Sequence, residues 1–287
     1  MEVIDAHRLV PPLRTGRSAR EPAIPGQAMG DIDPATLRQT LEASGIAATI
    51  LVQQRPSMKE TQLSLAPAAR LDLVAGLVGW VDLSARDVFG TIAALREGPE
   101  GTALVGISPG TDETDDGHWL MRSDVRRGID AVAAHGLVLH LPLTEGNLSA
   151  ALNTVGAFPS LRFVIHSLDA AFWNACTPAT YGMSTTGRAI SPLRPFAAEW
   201  GHVWCRLPEG SLQEDDDEGG PTQAALAEAP AIFGPARLLY GSSGGADRSR
   251  GSQTVAPATP GEAIVHLPRD ERGRNLSGSA RELYTLA

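Results

Sequence analysis

The chain is short of lysine, with Lys59 alone, and short of positive charge in general. Its 24 basic residues are outnumbered by 33 acidic ones, which gives a formal net charge of −9. Nucleic acids and anionic lipids attract basic surfaces, so we expect neither as a partner. No apolar run approaches the length of a membrane span. Residues 1–7 do not join a basic segment to an apolar one, so we expect no signal peptide and a cytoplasmic protein.

Cysteine is scarce as well. Cys176 and Cys205 are too few for a disulfide framework and do not have the spacing of metal ligands. The hydrophobic fraction of 43% and the charged fraction of 20% are ordinary for a soluble globular protein. A length of 287 residues suits one large α/β barrel. We therefore expect residues 1–287 to form a single domain.

The chain does contain a regular succession of short apolar runs separated by helical patterns. This alternation is typical of a parallel sheet wrapped by helices. Eight such runs favour a closed (β/α)₈ TIM-like barrel over an open, doubly wound sheet. The predicted strands lie near Val3–His7, Thr49–Gln53, Leu73–Trp80, Ala103–Ile107, Leu137–Leu141, Arg162–His166, His202–Leu207 and Arg237–Gly241.

Helix boundaries between these strands are also visible in the sequence. Asp33 before a proline, Ser123 before an acidic residue, and Asn147 are all residue types that begin helices. The second of these helices is expected to end at Gly136, because glycine tolerates the left-handed conformation that terminates many helices.

Three long segments follow predicted strands and should lie over the same end of the barrel: Pro11–Gly30, Cys176–Pro195 and Ser242–Gly261. Loops after barrel strands carry binding residues, although plain surface elaboration is an equally weighted alternative. The acidic run Glu214–Glu218 is interpreted as a solvated loop rather than as a cation site.

Three predicted strands have a histidine at or next to their last residue: His7, His140 and His166. In an eight-stranded barrel such positions face the catalytic end. Imidazole near neutral pH is a competent general acid or base. Arg206, at the end of the seventh strand, is a candidate anchor for a carboxylate or enolate. For each of these residues, a buried hydrogen bond or an ordinary ion pair is the alternative.

Several segments, taken in order, resemble the amidohydrolase-related lactonases, the group of fuconolactonase-like and pyrone-dicarboxylate lactonase-like hydrolases. The similarity is carried by Ile4–His7, Val78–Leu83, His118–Val125 and Phe233–Ser242, and it reaches the closing helix at Asn275–Leu286. The resemblance implies a barrel in which histidines hold a divalent ion and an aspartate after the eighth strand transfers the proton.

The chain departs from that family pattern at five places. The second histidine of His-x-His is replaced by Leu9, the aspartate of Gly-Ser-Asp by Ser243, an arginine after the fourth strand by Ser108, and the seventh-strand lysine by Arg206. His166 stands one position early, which would turn its side chain to the opposite face unless a bulge corrects the register. Leucine and serine cannot replace these ligands, so we expect no bound metal.

The resulting expectation is an enzyme that acts on a small oxygenated cyclic compound. The reaction would be lactone hydrolysis or a metal-independent cyclisation, dehydration or isomerisation, with no cofactor and with a homodimer left open. Two alternatives remain: an inactive barrel that binds a ligand or partner, and a hydrolase with a three-histidine metal centre such as zinc. The predicted catalytic residues are His7, His140, His166 and Arg206, and the predicted substrate-binding residues are Gln53, Trp80, Ser108, Trp119 and Ser243.

Overall fold

The computed structural model of the chain describes residues 2–10, 34–53, 55–110, 113, 116–167, 193–206, 232–242 and 273–286. Eight strands form one sheet in the order of the chain, and every neighbouring pair is parallel. The backbone N–H of Ala6 donates to the carbonyl of Tyr240 at 2.8 Å and so links the first strand to the end of the last. The predicted (β/α)₈ barrel is confirmed. The strands are β1 Ile4–Val10, β2 Ala48–Gln53, β3 Val74–Gly79, β4 Leu104–Ile107, β5 Val138–Leu143, β6 Phe163–Ser167, β7 Val203–Arg206 and β8 Leu238–Leu239.

Helices follow the strands on the outside of the sheet. The described α-helices are α1 Pro34–Ala43, α2 Met58–Arg70, α3 Val88–Leu95, α4 Ser123–Ala134, α5 Leu148–Ala157, α6 Arg194–Glu199 and α7 Ser279–Tyr284, with 3₁₀ turns at Pro99–Ala103, Trp119–Met121 and Pro235–Arg237 and a π turn at Arg274–Gly278. Gly136, with φ of 67°, follows α4 as predicted.

The prediction for Asn147 is correct in position and wrong in detail. The residue precedes α5, but its side chain does not cap the helix. Its Oδ1 instead accepts the backbone N–H of Thr144, and its Nδ2 donates to the carbonyl of Pro142. Asn147 therefore orders the turn between β5 and α5, and the first turn of the helix gains no side-chain acceptor from it.

The strands separate two hydrophobic layers because successive side chains point to opposite faces. Leu139, Phe163 and Cys205 belong to the outer layer, between the sheet and the helices. Val138, Val164 and Trp204 belong to the layer inside the barrel. Burial of each large apolar side chain contributes about 1.5–3 kcal/mol, so both layers stabilise the frame on which the strand ends are held.

Parts of the expected active-site end lie outside the described residues. They comprise all of 11–30 and 243–261, most of 176–195, and the acidic run 214–218. Asp33, Cys176 and Ser243 also lie outside the described residues. The expectation of a single domain over residues 1–287 stays a prediction. Among the described helices, none has both the length and the apolar character needed to cross a membrane.

Candidate active site

Three side chains of the site are directed inward by simple strand alternation. His140, His166 and Arg206 each stand two residues after an interior residue, namely after Val138, Val164 and Trp204. The pairing of β5 with β6 and of β6 with β7 runs without a register shift. His166 therefore faces the barrel interior without a bulge, and the expectation that its position would turn it outward is wrong.

The irregularity lies in β1 instead. Asp5 pairs with Thr49 and Arg8 pairs with Leu51, so three steps along β1 match two steps along β2. One extra residue in a strand re-aims the side chains around it. His7 directly follows Ala6, which already packs inside the barrel, so regular alternation would direct His7 away from the axis. The bulge brings His7 to the other two histidines.

The three histidines form a compact buried cluster. The ring centroid of His7 lies 5.0 Å from that of His166 and 5.8 Å from that of His140, and His140 and His166 are 6.0 Å apart. One nitrogen from each ring can be chosen so that all three lie within 4.8 Å of one another. None of the three residues is more than 5% exposed. The cluster has the composition of a three-histidine metal site.

Most of the ring nitrogens in this cluster make no hydrogen bond within the described part of the chain. Both nitrogens of His7, both of His166 and Nδ1 of His140 lack a partner there, while Nε2 of His140 lies 2.7 Å from the hydroxyl of Tyr284. Buried polar groups are normally hydrogen-bonded, because leaving one without a partner costs about 1–3 kcal/mol. This local excess of unsatisfied nitrogens fits a site built for a ligand.

Burial holds all three imidazoles in the neutral form at pH 7. Desolvation is the main cause that lowers the pKa of His7 well below its ordinary value, and it lowers the pKa of His140 to about 3. Desolvation, followed by electrostatic interactions with His140 and Arg206, lowers the pKa of His166 in the same way. A neutral imidazole has a lone pair available for a metal or a proton.

Arg206 places a fixed positive charge beside the histidines. It is 4% exposed, and its Nη2 donates to the carbonyl of Gly241 at 3.4 Å. Gly241 allows this approach, because a Cβ at that position would lie 2.7 Å from Cβ of His7 and 2.8 Å from Nε of Arg206. Any larger residue at this position would require His7 or Arg206 to move.

Asp5 is part of the site, and sequence reasoning missed it. Its carboxylate is fully buried and accepts hydrogen bonds from the backbone N–H groups of His7 and Ser242 and from the hydroxyl of Ser242. Nη1 of Arg8 lies 3.8 Å from Oδ2 of the same carboxylate. The available signal was an aspartate between the apolar residues Ile4 and Ala6 of a strand, since a buried carboxylate needs hydrogen-bond partners.

Three of the predicted substrate-binding residues, Gln53, Trp80 and Ser108, make side-chain hydrogen bonds within the protein. Both donors of the Gln53 amide are used by the carbonyls of residues 55 and 57, and its oxygen accepts from Thr61. Trp80 is half-buried and donates from its indole N–H to Glu113. Ser108, directly after β4, donates its hydroxyl to the carbonyl of Pro109 at 3.3 Å. Their contacts with substrate stay predictions.

Trp119, in the loop between β4 and α4, packs with the outer hydrophobic layer, and its predicted contact with substrate stays a prediction. It is 6% exposed and lies in the 3₁₀ turn before α4. The sequence could not separate a stacking tryptophan from a packing one, because both kinds occur next to turns. Ser243 lies outside the described residues, so its predicted contact with substrate is untested.

The structure is thus a parallel (β/α)₈ barrel with a cluster of three histidines in its interior, toward the end where such barrels carry their active sites. The sequence profile of the amidohydrolase family matches residues 4–286, and the chain belongs to this family. Two L-fucono-1,5-lactonases are among its relatives. The one from Burkholderia ambifaria is 33% identical over 219 residues, which are 74% of this chain and 69% of that protein. The one from Burkholderia multivorans is 30% identical over 285 residues, which are 94% and 92% of the two chains.

Solved structures agree on the fold. A crystal structure of an amidohydrolase from Burkholderia multivorans with bound zinc covers the whole of both chains, with a TM-score of 0.72 and 24% identity. At this level of identity the match bears on the architecture alone.

Proposed function

We propose that this protein hydrolyses a small oxygenated lactone at the cluster formed by His7, His140, His166 and Arg206. The observation that carries the proposal is the convergence of three neutral, buried imidazoles beside a buried guanidinium at the carboxyl ends of the strands. The names of the two Burkholderia relatives support a sugar-acid lactone as the substrate class.

The same three histidines are proposed to hold a divalent metal ion such as zinc. The donor set fits, because it offers three buried nitrogens with low proton affinity and several ring nitrogens without a hydrogen bond in the described part of the chain. A bound ion would polarise the lactone carbonyl and make water more acidic. The metal-free site expected from Leu9, Ser243 and the direction of His166 stays a prediction, but the third of these reasons no longer holds.

Arg206 has a role in this proposal with or without a metal. When water adds to a lactone carbonyl, negative charge develops on the carbonyl oxygen. A fixed guanidinium in a buried site stabilises such charge more strongly than it would in water. Burial lowers the pKa of the three imidazoles, so in the metal-free protein they would be weak general bases at pH 7.

The test is hydrolysis of L-fucono-1,5-lactone and related sugar lactones, followed through acid release by a pH indicator. The protein is assayed after chelation and again after addition of zinc or manganese, together with elemental analysis. We expect His166→Ala to lower kcat by about 10²–10⁴. The matched control is His118→Ala, because that imidazole is exposed.

Wild-type protein that binds such lactones but turns over none, with or without metal, would contradict the proposal and favour the binding-protein alternative. Full turnover by His166→Ala would move the reaction away from the cluster.

A further inference from the structure

The C-terminal helix α7 lies at the amino-terminal end of the barrel, opposite the active site. Arg162 directly precedes β6, and its Nη1 donates to the carbonyl of Leu283 at 2.6 Å and to the hydroxyl of Thr285 at 2.8 Å. Arg281 pairs with Glu2, just before β1, at 2.9 Å. These contacts join the last helix to the start of two strands.

From this end, one side chain of α7 enters the barrel. Tyr284 is 6% exposed and packs with the interior residues Val138, Val164 and Trp204. Its hydroxyl lies 2.7 Å from Nε2 of His140, in a fully buried hydrogen bond between residues 144 positions apart in the chain. Tyr284 therefore contacts His140 from the amino-terminal end of the barrel.

We propose that Tyr284 is a positioning residue that orients the ring of His140 and reserves its Nδ1 for the proposed metal. The hydrogen bond occupies Nε2, and Nδ1 is the ring nitrogen of His140 that lacks a partner in the described structure. Histidines that bind metals normally have their other ring nitrogen hydrogen-bonded, which fixes the orientation of the ring and the position of its proton.

A phenol is suited to this position because its hydroxyl both donates and accepts. With a metal on Nδ1, the proton of His140 is on Nε2 and is donated to the oxygen of Tyr284. Without a metal, the hydroxyl can instead donate to Nε2, with the imidazole proton on Nδ1. Phenylalanine fills nearly the same space and supports neither state.

The role of Tyr284 rests on the proposed donor set but not on lactone hydrolysis, so the test measures zinc binding and ring protonation. Zinc affinity is measured by competition with a chromophoric chelator for wild type and Tyr284→Phe. We expect Tyr284→Phe to bind zinc about 10–100-fold more weakly. Nitrogen NMR of His140 should show Nδ1 on zinc in the wild type, and a mixture of ring tautomers in the metal-free variant.

The matched control is Leu283→Val, which trims a fully buried side chain of the same helix and retains the hydroxyl. We expect it to lower Tm and to leave the zinc affinity unchanged. Equal zinc affinity in wild type and Tyr284→Phe would overturn the proposal. So would wild-type spectra with Nε2 on the metal, or wild type that binds no zinc. The wild-type spectra decide the matter even if Tyr284→Phe does not fold.

Discussion

Asp5 on β1 and Ser242 after β8 bind each other across the closure of the barrel. Oδ1 of Asp5 accepts the backbone N–H of Ser242 at 3.0 Å, and Oδ2 accepts its hydroxyl. The same Oδ1 accepts the backbone N–H of His7 at 3.2 Å, beside the β1 bulge. One carboxylate thus joins the first and last strands and holds the backbone that carries a proposed metal ligand.

Replacing Asp5 by asparagine should therefore weaken both the fold and the site. The variant has one acceptor oxygen in place of two and adds a buried N–H donor. Leaving a buried polar group without a partner lowers the free energy of unfolding by about 1–3 kcal/mol. Urea denaturation measures the free energy of unfolding, and chelator competition measures zinc affinity. Asp72→Asn is the control, because its carboxylate is 77% exposed and should change stability by less than about 0.5 kcal/mol. An equal, small effect of both changes would show that the Asp5–Ser242 contact is dispensable.

Gly241→Ala tests the close approach of the chain to the cluster. The new Cβ would lie under 3 Å from both His7 and Arg206, so one of them must move. Overpacking of this kind costs about 1–3 kcal/mol, and we expect turnover of the lactone to fall with it. Thermal unfolding and kcat/KM are the measurements. Gly201→Ala is the matched control, since a Cβ there meets no described atom within 4 Å. Unchanged kcat/KM in Gly241→Ala would contradict the crowding argument.

Arg206→Lys tests the shape of the cation rather than its charge. Lysine keeps the positive charge but cannot present two parallel N–H donors to a carboxylate or an oxyanion. The loss of one charge-assisted hydrogen bond, about 1.5–3 kcal/mol, corresponds to a fall of about 10–100-fold in kcat/KM. Arg127→Lys is the control, because Arg127 is exposed and its guanidinium binds carbonyls on the surface. Wild-type kcat/KM in Arg206→Lys would remove Arg206 from the proposed mechanism.

The buried histidines predict loss of stability in mild acid for the chelator-treated protein. Because burial lowers the pKa of His7, His140 and His166 in the folded state, the unfolded chain binds more protons below its ordinary histidine pKa of about 6.5. Stability is therefore retained above that pH and falls as the pH drops from about 6.5, continuing toward about 3 for His140.

Each of these histidines contributes a slope of at most about 1.4 kcal/mol per pH unit. Urea denaturation at several pH values between 7.5 and 5.5 gives the slope. His140→Asn should reduce it by the contribution of one group. His118→Asn, a change at an exposed side chain outside the cluster, is the matched control for the substitution itself. Identical slopes in wild type and His140→Asn would contradict the prediction.

The barrel could be predicted from the sequence because its signals are local. Eight runs of strand-forming residues, helix starts such as Ser123 and a terminator such as Gly136 identify each element without reference to distant parts of the chain. The resemblance to the amidohydrolase-related lactonases, whose segments occur in the same order, supported their arrangement as a barrel. Arg206 could be assigned to the active-site end for the same reason, since it ends β7, whereas β5 continues beyond His140 to Leu143.

The site itself depended on contacts between distant residues. The direction of His7 is decided by a bulge that exists only in the pairing of β1 with β2, and the direction of His166 by its register against β5 and β7. Tyr284 reaches His140 only because α7 covers the opposite end of the barrel. The local sequence therefore predicted which residues lie in strands, whereas pairing across the sheet decided which of their side chains meet.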